Sequence, residues 1–182
     1  EDEIDSLYLD AGLDYHYVLH RIALSDPAGA LEHAVNHLRD GHDVKRAARA
    51  FVDAGMDTEA RGFLEQVVPL LEVRIPHRQD ILAMWATVCE RGGDSDRALE
   101  LRYQAFCEGP SVEAYRTVMD TATELGRADE YDRKMVDALS QNERDLRVLT
   151  QIHIHRRDVD AAIYAFERIT GYRGDELALR LV

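Results

Sequence analysis

Two cysteines are too few to staple a chain of 182 residues, so the fold must rest on an apolar core, for which this length suffices in one domain. Cys89 falls just before a turn at Gly93, and Cys107 lies near the far end of the next helix. That separates them by roughly 20 Å along the axis, whereas a disulfide needs Cα atoms about 4.4–6.8 Å apart. Two reduced thiols acting as small apolar fillers are expected, and with them a cytoplasmic protein. Proline is scarce, at four residues, and aromatics are modest, which suits helices. No run of 18 or more apolar residues occurs, so no segment reads as a membrane span. Positive charge is also short. The net charge of −13 argues against a nucleic-acid surface as the main business of the chain.

The deficit is uneven. Residues 1–72 carry −9, 73–142 carry −4 and 143–182 carry 0. The neutral end holds Arg144, Arg147, Arg156, Arg157, Arg168, Arg173 and Arg180 among its acids, which reads as a mixed and solvated helix surface, with a local contact to an acidic partner as the alternative. Lysine is nearly missing, with only Lys45 and Lys134, and Asp outnumbers Glu by 20 to 15. This fits a GC-rich genome. It also fits a halophile, whose dense carboxylates stay hydrated while salt screens their repulsion. The chain opens on Glu1 rather than Met and closes on apolar Leu177 to Val182, so a piece of a longer protein is expected.

What the chain has is a repeated step. Gly55-Met56-Asp57-Thr58-Glu59-Ala60, Gly93-Asp94-Ser95-Asp96-Arg97-Ala98, Gly126-Arg127-Ala128-Asp129-Glu130-Tyr131 and Arg157-Asp158-Val159-Asp160-Ala161-Ala162 each end one apolar run and open the next. Their starts lie 38, 33 and 31 residues apart. A period in this range marks stacked helical hairpins. Apolar spacing between the steps is helical: Tyr15, Val18, Leu19 and Ile22 share a face, as do Ile81, Leu82, Trp85 and Val88. Asp26-Pro27 reads as an N-cap and first helical residue. Asp40-Gly41-His42 reads as a break, with Asp43 capping the next helix. Thr58 to Leu71 reads as helix, with Pro69 late in it. Pro76 marks a long inter-repeat connection that explains the first spacing. Ala60, Ala98 and Ala162 are expected where two helices approach closely.

From about Ile81 to Ile169 the chain resembles a tetratricopeptide-type array. Trp85 through Gly93, then Ala98, Ala105 and Pro110, follow the family's order of helix-A aromatic, turn, helix-B Ala and closing Pro. The resemblance implies an all-α, right-handed α-α superhelix of about four to five helical hairpins. It is one helical-repeat domain over 1–182, less regular over 1–75 and clearer over 76–182. A narrower resemblance rests on Glu90 to Glu100, Tyr103 to Phe106, Gly109 to Arg116, Leu125 to Arg127 and Arg157 to Ala162. These are similar to the helical region after the zinc module of prokaryotic SWIM zinc-finger proteins. That implies an accessory region of a DNA-associated protein. The module's own Cys-x-Cys and Cys-x-His are absent here.

Little in the chain reads as chemistry. His16 and His20 are one turn apart on one helix, and His33 and His37 on the next, so the two pairs could meet around a metal. His33 and His37 fall opposite Leu31, Val35 and Leu38, which points them to solvent or to the preceding repeat's surface, so no metal site is expected, and a metal-binding domain built on the His cluster stands as the third reading. His153 and His155 diverge on a helix. Asp94, Asp96, Asp158 and Asp160 sit at helix starts, where carboxylates cap and favour the dipole. No phosphate loop or nucleophile elbow appears. The expectation is a non-enzymatic scaffold with no cofactor, gripping a protein or peptide in a groove lined by first-helix residues. Arg78, Trp85, Tyr115, Arg116 and Arg147 are the candidate contacts, chosen as exposed polar or aromatic positions. The acidic composition predicts an unfolding free energy that falls steeply as salt is removed. Urea titrations at low and high KCl check it, and indifference to salt rejects a halophilic surface.

Overall fold

The 3.6-residue apolar period is realised as helix throughout. The computed structural model describes residues 2–72 and 75–169. The apolar end Leu177 to Val182, and Arg173 and Arg180, lie outside the described residues. Among the described residues there are eleven α-helices and no strand. They are α1 (Asp2–Asp10), α2 (Asp14–Ala23), α3 (Pro27–His37), α4 (Gly41–Asp53), α5 (Asp57–Val67), α6 (Arg78–Arg91), α7 (Ser95–Glu108), α8 (Val112–Glu124), α9 (Ala128–Ser140), α10 (Leu146–His155) and α11 (Val159–Glu167).

One turn joins most of them. The chain leaves α1, α2, α4, α6, α8 and α10 through Gly12, Ser25, Gly55, Gly93, Gly126 and Arg157, and all six have left-handed φ between 57° and 81°. The following N–H reaches back five residues each time: Leu13 to Tyr8, Asp26 to Arg21, Met56 to Phe51, Asp94 to Cys89, Arg127 to Ala122 and Asp158 to His153, at 2.7–3.0 Å. This is the Schellman closure, which satisfies carbonyls that a helix end leaves orphaned. The last five turns define five hairpins: α2/α3, α4/α5, α6/α7, α8/α9 and α10/α11. The four steps read from the sequence are four of these turns. The copy at Ser25 is hidden in the sequence by its lack of glycine, and nothing in the repeat pattern points to α1 with its turn at Gly12.

Caps decide where the second helices start. Asp26 accepts from the Gly29 N–H at 3.0 Å and Pro27 opens α3, as expected. Asp94 accepts from Arg97 at 3.2 Å and Asp158 from Ala161 at 3.2 Å. The break expected at Gly41 is instead the first residue of α4, capped by Asp40 rather than Asp43. A Cβ on Gly41 would lie 2.4 Å from the Pro76 carbonyl oxygen, so glycine is there for close approach. The helix expected to run to Leu71 ends at Val67. A 3₁₀ turn, Val68–Leu70, follows because Pro69 lacks the N–H that would continue it.

The chain divides into two compact units, 1–101 and 102–182. In the first, α2 packs on α3 and α4, α3 on α5, α4 on α5 and α6, and α5 on α6. The first helices α2 and α4 thus each meet their own partner and the first helix of the next hairpin. In the second, α8 packs on α9 and α10, α9 on α10, and α10 on α11. This nearest-neighbour stacking is that of a tetratricopeptide-like helical repeat, in which no module hides its apolar faces alone. Ala60, Ala98 and Ala162 are fully buried, as close helix approach requires. Phe51 and Phe63 meet across the α4/α5 hairpin with ring centroids 6.0 Å apart. Full burial of each is worth roughly 1.5–3 kcal/mol. In the second unit Tyr131, Met135, Leu139 and Leu146 form the corresponding core.

Arg157 holds the left-handed turn position with a side chain that disfavours it. Arg157→Gly is expected to raise unfolding free energy by about 1 kcal/mol, since the relieved strain exceeds glycine's entropic cost. Urea unfolding of the two proteins measures it.

Candidate functional site

The first helices of the leading unit build a groove. Tyr15 on α2, Lys45, Arg46, Arg49 and Asp53 on α4, and Met84 on α6 line a cavity of about 400 Å³. Its position follows from the stacking, because α2, α4 and α6 are consecutive first helices. The Arg46 guanidinium lies 3.8 Å from the centre of the Tyr15 ring. Lys45 reaches Asp80 of α6 at 2.5 Å, and Arg49 pairs with Asp53 at 3.0 Å. The wall is therefore an aromatic and a thioether edged by cations that already have carboxylate partners. Exchange of one carboxylate for another costs little at such exposed pairs.

Of the contacts named from the sequence, Arg116 and Arg147 are exposed and Arg78 is half-buried. Trp85 and Tyr115 are corrected: they are 4% and 5% exposed and belong to the core. Trp85 lies under the Arg97 guanidinium at 4.7 Å, and its indole N–H finds no partner among the described residues. Tyr115 donates its hydroxyl to Asp132 at 2.7 Å, and Arg156 holds the same carboxylate at 3.1 Å. Burial, with the Asp132 bond second, pushes the Tyr115 hydroxyl far above the usual phenol range. Large aromatics at i, i+3 and i+4 of a repeat helix are wanted inside, which is why these two leave the binding surface expected of them. Arg116 meets the ring of His155 on α10, with Nε 3.3 Å from Nε2. Arg147 projects from the same helix.

The four histidines of the first hairpin do not meet as two facing pairs. His20 binds Asp5 of α1 at 3.0 Å, and exposed His16 lies against Tyr8 and Tyr15. His33 and His37 instead gather around Asp14, the first residue of α2. His33 Nε2 is 2.9 Å and His37 Nδ1 3.9 Å from one Asp14 carboxylate oxygen. The two imidazoles stack with centroids 4.2 Å apart, and Tyr17 packs on His33 at 4.3 Å. Burial is the main cause that lowers the proton affinity of His33. The Asp14 bond opposes it and His37 adds to it. The solvent-facing orientation expected from the α3 face holds for His37 but not for His33, whose side chain is 10% exposed. Asp14 escapes a reading of the sequence. Its only signal there is its place two residues after Gly12, matching Asp57 after Gly55.

Beside this cluster lies a cavity of about 290 Å³, lined by Asp14, His16, His37, Asp40, Asp43 and Arg46 among others. Tyr15 and Arg46 line both it and the groove. No helix of the described residues is long and apolar enough to cross a membrane. Both cysteines are free, Cys89 buried and Cys107 exposed.

No protein-family model matches the chain, and no curated protein matches it. The resemblance to SWIM-type proteins therefore draws no support from either comparison. Among solved structures, a crystal structure of MamA is similar, with a TM-score of 0.45 at 14% identity, covering 88% of this chain and 95% of that one. MamA 41-end from Desulfovibrio magneticus RS-1 gives 0.43 at 17% identity, covering 87% and 92%. The helical-repeat fold is fixed by the turns and helix pairing described above, independently of these low scores.

His153 is buried on α10, and its Nδ1 has no partner among the described residues. Burial, then Arg156, lowers its proton affinity, while Asp158 and Asp132 oppose this. A folded-state value below the ordinary one means that the unfolded chain takes the proton first as pH falls. Stability is then full above about pH 6.5 and declines below it, through the folded-state value. The lowered carboxylates, Glu130 at about 2 and Asp26 and Asp80 below their usual range, act only at more acid pH. Unfolding free energy is expected to drop between about pH 7.5 and about pH 5. His153→Leu should flatten part of that drop, as denaturant titrations at the two pH values will show.

Proposed function

We propose that this chain is a non-enzymatic protein-interaction scaffold whose first-helix face grips a peptide segment of a partner protein. The groove across α2, α4 and α6 carries the reading. It is open, runs along consecutive repeats, and combines Tyr15 and Met84 with the cations of α4. An extended peptide suits such a groove, setting an apolar side chain on the aromatic and thioether and a carboxylate on an arginine. The two compact units acting together as one helical-repeat domain over 1–182 belong to the same proposal. So do Arg78, Arg116 and Arg147 as polar contacts along the first helices, a site in the cytoplasm, and the absence of nucleic-acid or membrane ligands. Trp85 and Tyr115, buried in the first and second unit respectively, do not touch the partner in this reading. The reading as an accessory region of a SWIM-type DNA-associated protein rests on resemblance alone.

A displayed random-peptide library selected on the full chain tests the proposal. Selected peptides are expected to lose affinity by about tenfold or more with Arg46→Glu and Arg49→Glu together, a loss of about 1.4 kcal/mol or more. Circular dichroism should remain unchanged. Peptides that bind this double variant as well as the parent would place recognition elsewhere and overturn the groove.

A further inference from the structure

The first hairpin carries a constellation that peptide binding does not use. We propose that Asp14, His33 and His37 form a binding site for a divalent transition-metal ion of the zinc class, held between α2 and α3. The three candidate donor atoms lie within 4.8 Å of one another. Two are imidazole nitrogens one helical turn apart on α3, the spacing by which a helix presents a histidine pair to a single ion. The third is a carboxylate from the antiparallel partner helix, so the ion would clamp the hairpin.

The distances suit insertion of an ion. Ligand bonds of about 2.0–2.2 Å set donors of a tetrahedral site about 3.3–3.5 Å apart. The His33 and His37 nitrogens stand 2.9 and 3.9 Å from the shared carboxylate oxygen, on either side of that value. Movements of roughly half an ångström would admit the ion. It would replace the His33–Asp14 hydrogen bond with two coordinate bonds and recruit the stacked His37. The ligand set, two imidazoles and one carboxylate, is chemically suited to zinc and its neighbours rather than to calcium or magnesium. The opposed dipoles of the two helix ends roughly cancel there, so the ligands decide. Asp14 and His37 also line the adjoining cavity, which leaves room for a water as fourth ligand. Tyr17, packed on His33, fixes the orientation of that ring.

A second histidine pair provides the control. His42 and His77 have centroids 5.7 Å apart, and His77 lies 3.5 Å from Asp80. Titration of the untagged full chain with Zn²⁺ by calorimetry, with thermal unfolding alongside, tests the site. The expected result is binding of one ion per chain that raises the unfolding temperature. His37→Ala and Asp14→Asn should each weaken binding about tenfold or more and remove the thermal shift, while His42→Ala leaves both intact. His37 is half exposed, so its loss leaves the fold unchanged by circular dichroism. Failure of the parent chain to bind Zn²⁺, or binding that survives His37→Ala, or binding lost instead with His42→Ala, would overturn the proposal.

Discussion

A single left-handed residue after each first helix is the constraint on which the structure depends. It lets one N–H reach back five residues and turns the chain sharply enough for the second helix to run antiparallel to the first. Once the reversal is fixed, so is the register: residues at equal distances before and after the turn come to face one another. Tyr17 lies eight residues before Ser25 and His33 eight after, and their rings pack. Asp14 lies eleven before and His37 twelve after, which brings the carboxylate to the histidine pair. The cluster between α2 and α3 is thus a direct product of a turn that has no glycine.

The hairpins are joined by apolar stacking, and charge trims the joints. Around the turns of consecutive hairpins, Arg61 reaches Asp94 at 2.8 Å and Arg91 reaches Asp57 at 3.3 Å. Each is a partly exposed pair worth roughly 0–1 kcal/mol. Their value is directional, since a shifted register would set carboxylate against carboxylate in a chain with few cations to spare. Buried Ala60, Ala98 and Ala162 set how closely the helices can approach. The surface pairs then select among the few ways of stacking that this closeness allows.

The fold is legible in the sequence because its turns are local. Gly55, Gly93 and Gly126 announce themselves, and Asp94, Ser111 and Asp158 cap as their neighbours suggest. Ser25 and Arg157 adopt the same backbone without the residue that advertises it. Spacing reveals Arg157, and Ser25, 30 residues before Gly55, fits the same period without the glycine that would mark it. The candidate contacts are less legible. Periodicity names the face on which Trp85 and Tyr115 lie, but burial depends on where the neighbouring hairpin sits, and that is not local information. The same holds for the histidines. Four of them at helical spacing suggest a quartet, yet side-chain direction sends His20 to Asp5 and His33 to Asp14.

The two thiols differ in access, and this gives the molecule a built-in reporter. Cys107 is open to alkylation in the native state. Cys89 lies sealed in the core, where burial also raises its thiol above the usual value and suppresses the reactive thiolate. Burial raises the Cys107 thiol as well, with a Tyr103 hydrogen bond opposing and Glu108 adding to it. The contrast is one of access: a maleimide reagent reaches Cys107 in the native state and Cys89 only when the packing around α6 breathes. The labelling rate at Cys89 becomes a clock for local opening of the leading hairpins, without any engineered probe.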